Sequence, residues 1–141
     1  QSADPARWNP SEVDFIRKTI DNVLSTYTID RNRIVVHGQQ AGGSMSYLVG
    51  FSHRDLIRGV APVDAALPAR TAIKANDPGE RLAFYAFNVK ESKLAKASAD
   101  GVKRLTAAKY PVTTILLNNK AGLSDNDRLQ FLQWVDSLDR I

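Results

Sequence analysis

Cysteine is absent from the 141-residue sequence, and histidine occurs only twice, at His37 and His53. The first absence removes disulfides, thiolate nucleophiles and cysteine-ligated zinc, and it leaves the redox compartment open, since either environment tolerates a cysteine-free chain. Two separated histidines with scattered carboxylates give no ligand spacing that specifies a metal. No metal and no cofactor are therefore expected. No apolar run approaches the roughly 20 residues that a membrane-spanning helix needs, and no membrane association is expected. Charge of one sign is also scarce: the net charge is +4, with 19 basic and 15 acidic residues. The densest basic stretch, Lys90, Lys93, Lys96, Lys103, Arg104 and Lys109, is interrupted by Glu91 and Asp100 and holds no aromatic residue before Tyr110. Nucleic-acid binding draws on basic patches interleaved with aromatics, so this run reads as a solvated helix face and no nucleic-acid partner is expected.

What is present is the composition of a globular protein, 43% hydrophobic and 24% charged, at a length that suits one domain over residues 1–141. The chain opens at Gln1 without an initiator methionine or a charged-then-apolar leader, and is expected to be a fragment or a processed chain. Asn9-Pro10-Ser11-Glu12 carries a helix start signal: Asn9 can cap, Pro10 suits the first helical position and Glu12 can complete a capping box. Val13, Ile16, Ile20, Val23, Leu24 and Tyr27 then recur at three- and four-residue spacing, which predicts a helix with one apolar stripe. Arg33 to His37 is short, β-branched and bounded by Gly38, as a strand buried on both faces would be. The alternation continues with a small-residue helix over 41–53, a strand near 58–63, a strand over 82–88, a helix over 92–109, a strand over 112–118 and a final helix over 124–138. Strands separated by helices predict an α/β fold of about four parallel strands covered on both faces.

The informative junction is Val35-Val36-His37-Gly38-Gln39-Gln40-Ala41-Gly42-Gly43, where a buried strand runs into a glycine-rich turn that opens a helix. That is the layout of a nucleophile elbow, in which G-x-S-x-G presents a serine on a sharp turn, except that G-Q-Q-A-G stands here. With Tyr27 to Asp30 ahead of Arg33-Ile34, and Leu56 to Val63 behind, the chain resembles the esterase and depolymerase branch of the α/β-hydrolases. Feruloyl esterases, polyhydroxyalkanoate depolymerases and prolyl-oligopeptidase-like catalytic domains are similar in this region. The resemblance spans nearly the whole chain, although only the elbow is specific.

The resemblance implies that Gln40 holds the nucleophile position, where an amide is no usable nucleophile. It implies that Glu91, in Asn88-Val89-Lys90-Glu91, holds the acid position, although a Glu at a helix start is more often a first-turn charge complementing the helix dipole. The histidine position falls in Asn118 to Ser124, which has no histidine, and Ala121 is assigned to it. A triad acts as a unit, so no catalytic residue is expected. Ser44 and Ser46 are expected to lie within the helix, and His37 and His53 have no evident acid and nucleophile around them. Backbone N–H groups of Ala41, Gly42 and Gly43, with Gln40, remain candidates for holding an anion or a carbonyl oxygen.

Such a fold carries further strands ahead of the elbow strand, and none is recognisable here, so the chain is expected to be the C-terminal half of the fold. Strand 33–37 would then present an unpaired edge, to be covered by a second copy, by upstream residues or by the helix from Pro10 to Tyr27. The expectation for function is a catalytically silent hydrolase-like module of a longer protein, able to form a homodimer or to meet upstream domains through that edge. The alternatives are an ester or peptide hydrolase with a non-standard or externally completed site, and a small-molecule binding domain using the old cleft. The family resemblance favours a secreted or periplasmic setting.

Overall fold

Asn9 and Glu12 close a reciprocal cap: Asn9 Oδ1 accepts from the Ser11 N–H at 3.0 Å and Glu12 Oε2 accepts from the Asn9 N–H at 2.7 Å. In the computed structural model, which describes residues 7–118 and 122–141, this cap opens a 3-10 turn that runs into helix α1, Val13–Thr26. Val13, Ile16, Ile20 and Leu24 face the core. Val23 and Tyr27, which the spacing put on the same stripe, are exposed. A second 3-10 turn at Arg31–Arg33, capped by Asp30 Oδ1 accepting from the Asn32 N–H, delays the first strand, so that β1 spans Val35–Gln39.

Helix α2, Ala41–Ser52, follows directly, then β2, Gly59–Val63, and β3, Ala83–Val89. Helix α3, Ala95–Ala107, starts three residues later than the sequence suggests, because Ser92 Oγ accepts from the Leu94 N–H and holds a local turn in place of helix. Strand β4, Val112–Leu117, and helix α4, Asp125–Ser137, complete the order. The four strands form one parallel sheet in the order β1-β2-β3-β4, with Val35 beside Gly59, Gly59 beside Ala83 and Phe84 beside Val112.

Each strand splits its side chains between two apolar layers, as the period of two requires. Val36, Val60, Phe84 and Val112 meet α1, α2 and α3 through Ile16, Val49 and Leu105. Val35, Ala61, Tyr85 and Leu117 meet α4 through Trp134 and Leu138. Phe84 is fully buried, within 5.9 Å of the Tyr47 ring and edge-on to Tyr110 at 5.3 Å. On the other face Trp134 packs 5.2 Å from Tyr85. Two arginines tie the helical layers together: Arg17 of α1 pairs with Asp55 in the turn after α2 at 2.9 Å, and Arg33, in the 3-10 turn ahead of β1, pairs with Asp139 beyond α4 at 3.1 Å.

Candidate functional site

β1 and α2 meet at Gln40, whose backbone is at φ 50° and ψ −112°, a region that side-chain-bearing residues rarely occupy. Two close approaches hold it there. A Cβ placed on Gly38 would lie 2.3 Å from the Gly42 carbonyl oxygen, and one placed on Gly43 would lie 2.4 Å from the Ala65 Cβ. Only glycine lets the turn close this tightly, which is the physical reason for the glycines on both sides of it. The Gln40 N–H donates to the Val63 carbonyl at 2.9 Å, tying the turn to the exit of β2, and the Gln40 carbonyl accepts from the Ser44 N–H at 2.9 Å as α2 begins. The Gln40 side chain is exposed and makes no cap on α2. The turn is therefore a sharp, strained strand-to-helix elbow presenting residue 40 at the carboxyl ends of the strands.

Among the other residues assigned from sequence, Ala41 is exposed, Gly42 is half-buried beside Trp8, and Gly43 is buried against Ala65. Glu91 is exposed in the turn after β3, four positions ahead of Ala95 where α3 begins, so it is not a first-turn helix charge. Ala121 lies outside the described residues. The remaining hydroxyls near the elbow are committed to backbone: Ser44 Oγ donates to the Ala66 carbonyl at 2.8 Å and Ser46 Oγ to the Gly43 carbonyl at 2.7 Å. His37 sits on the α4 face, its Nδ1 2.7 Å from the Ala61 carbonyl oxygen and its ring 5.8 Å from that of Phe131. His53 caps the end of α2 beside Arg17. Among the described residues no cluster of histidine, aspartate or glutamate could hold a metal ion, and no helix is long and apolar enough to cross a membrane.

One residue escaped sequence reasoning. Asp64, immediately after β2, is 2% exposed, holds a positive φ of 46° and has a carboxylate oxygen, Oδ1, without a hydrogen-bond partner among the described residues. Its N–H donates to the Phe87 carbonyl at 2.9 Å, so it turns the chain away from the sheet directly beside the elbow. An aspartate after an apolar strand usually reads as a surface turn, and nothing local in Val63-Asp64-Ala65 signals burial.

No family model matches the chain, and no curated protein matches it either. Solved structures do. A Bacillus cereus carboxylesterase superposes with a TM-score of 0.72 at 18% identity, over 98% of this chain and 67% of its own. A Mesorhizobium loti carboxylesterase gives 0.75 at 12% identity over 96% and 66%, and Arabidopsis thaliana SOBER1 gives 0.74 at 14% identity over 91% and 63%. The chain spans about two thirds of the length of these proteins. The parallel sheet flanked by helices, the strained glycine-lined elbow and these superpositions together give the chain an α/β-hydrolase fold.

Proposed function

We propose that this chain is a catalytically silent hydrolase-like domain, serving as an interaction or structural module of a longer protein. The observation that carries the reading is the elbow: its backbone strain is intact, while residue 40 ends in an amide that cannot be activated as a nucleophile. The commitment of Ser44 and Ser46 to backbone carbonyls supports it, since each hydroxyl already donates its proton to a main-chain oxygen. The test is a broad p-nitrophenyl ester panel and a fluorophosphonate probe applied to the complete protein. Neither turnover nor labelling is expected. Turnover, or a covalent adduct at Ser44 or Ser46, overturns the proposal in favour of a hydrolase with a non-standard site.

The module's contact surface on this reading is the outer side of β1, which among the described residues has one strand neighbour, β2, in the four-stranded sheet. A groove of about 310 Å³ runs there between Trp8, Ile16, Ile34, Val36 and Met45. Apolar side chains beside a half-paired parallel strand suit addition of another strand. In the isolated chain a second copy is expected to supply the cover, and in the longer protein its own upstream residues. Sedimentation equilibrium checks this: a strict monomer with rapid amide exchange along 34–36 would refute it.

A further inference from the structure

The elbow lies at the carboxyl ends of the strands. At their opposite ends, where β2, β3 and β4 begin, a separate cavity of about 270 Å³ opens between Arg58, Arg81, Leu82, Lys109 and Leu138, with Asn76 in its wall. Its floor is apolar, since Leu82 and Leu138 are 1% and 4% exposed. Arg58, Arg81 and Lys109 add cationic groups to a lining that otherwise includes Pro78, Ala83, Pro111 and Ile141. The Arg58 guanidinium donates only to backbone carbonyls, the shortest bond being to Arg54 at 2.8 Å. Arg81 is already engaged, donating at 2.6 Å to the main-chain oxygen of Ile141, the last residue of the sequence, which also lines the cavity. The Lys109 ammonium makes no ion pair among the described residues, and its backbone holds a left-handed φ of 63°.

Acidic groups close by in sequence are engaged elsewhere. Asp77 Oδ1 accepts from the Gly79 N–H at 2.7 Å, Glu80 lies 3.9 Å from Arg54, and Asp139 pairs with Arg33 at 3.1 Å. No acidic side chain lines the cavity among the described residues. Arg58 and Lys109 are thus left without a carboxylate partner among the described residues, and a guanidinium and an ammonium beside an apolar floor match a carboxylate on an apolar body.

We propose that this cavity binds a small organic acid, its carboxylate held by Arg58 and Lys109 and its apolar body resting on Leu82 and Leu138. The volume lies just under the roughly 300–1,000 Å³ of drug-sized pockets, which favours a compact ligand. The proposal stands independently of whether the elbow is silent, because the two sites share no residue.

Isothermal titration of the full chain at fixed ionic strength tests it, with sodium hexanoate, neutral hexanamide and inorganic phosphate as probes. Hexanoate is expected to bind saturably at one site, with hexanamide and phosphate each weaker by about tenfold or more. Lys109→Asn removes the charge with a residue that tolerates the left-handed backbone, and is expected to weaken hexanoate by roughly tenfold. Lys96→Gln, a charge removal outside the cavity, is expected to leave binding unchanged. Arg58→Gln serves as the second variant if circular dichroism shows Lys109→Asn unfolded. Absence of saturable hexanoate binding overturns the proposal. So does hexanamide binding equally well, which would show that charge is not read, or phosphate binding equally well, which would show that the apolar floor is not read. An unchanged affinity in the folded cavity variant does the same.

Discussion

Replacing Gln40 with glycine should make the protein more stable. The backbone at φ 50° and ψ −112° lies where a Cβ is disfavoured, and such a conformation costs on the order of 1–3 kcal/mol. The side chain offsets little of this, being exposed and giving no cap to α2. Glycine adds its own cost through the unfolded state, roughly 0.5–1 kcal/mol. The balance is a gain of about 1 kcal/mol, or roughly 2–4 °C in Tm for a domain near this size. Gln40→Ala keeps the Cβ and therefore the strain, so it should be close to neutral. Gly43→Ala works in the opposite direction, because its Cβ would fall 2.4 Å from that of Ala65 and 2.9 Å from the Gly38 carbonyl oxygen. A loss of about 1–3 kcal/mol or more is expected from that overpacking. Urea titrations of the three variants, read at constant m-value, give the differences directly. If Gln40→Gly is less stable than the parent while Gln40→Ala is not, the elbow stores no strain and the reasoning fails.

Gln40→Ser alone should remain inactive towards p-nitrophenyl esters and unreactive to fluorophosphonates, because the resemblance assigns the base to position 121, an alanine; turnover in that single variant would show that the histidine position lies elsewhere. Phe84→Ala, at a fully buried site packed against Tyr47 and Tyr110, should cost about 3–5 kcal/mol in urea denaturation. Ser124→Ala should cost about 1 kcal/mol at neutral pH by removing the cap of α4, where Ser124 Oγ accepts from the Asp127 N–H at 3.2 Å. The same change should flatten the acid limb of the stability curve. Hydrogen bonds from the Ser124 hydroxyl and backbone N–H hold the Asp127 carboxyl below its ordinary 3.8, so their stabilisation is present above 3.8 and is lost as pH falls through the lowered value.

The four strands and four helices were legible because each layer of the fold demands a periodicity that short apolar strands and striped helices display. Val35 and Val36 face opposite layers, which is why both are apolar. The cap at Asn9 and Glu12 was equally readable, being a bargain among neighbours in sequence. The elbow could be placed because steric demand for Gly38 and Gly43 leaves a direct trace. What sequence concealed depends on partners distant along the chain. Asp64 is buried because β3 accepts its N–H at Phe87 and the elbow closes over the exit of β2. Arg54 is buried because the Glu80 carbonyl at 2.8 Å and the Tyr110 ring at 5.7 Å receive its guanidinium. Val23 and Tyr27 kept helical spacing yet face outward, since α1 turns only part of that stripe towards α2 and the sheet.

The short segment that leaves β2 also bears on how the molecule opens. Ser44 of α2 donates to the Ala66 carbonyl, Ser98 of α3 donates to the Ala65 carbonyl at 2.7 Å, and Gly43 sits directly against Ala65. Two helices that never follow one another in sequence are thereby tied to two adjacent residues, Ala65 and Ala66, and neither can peel away without breaking its own hydrogen bond to that segment. Opening at the corner around residue 40 is therefore expected to be coupled to the loosening of both helices.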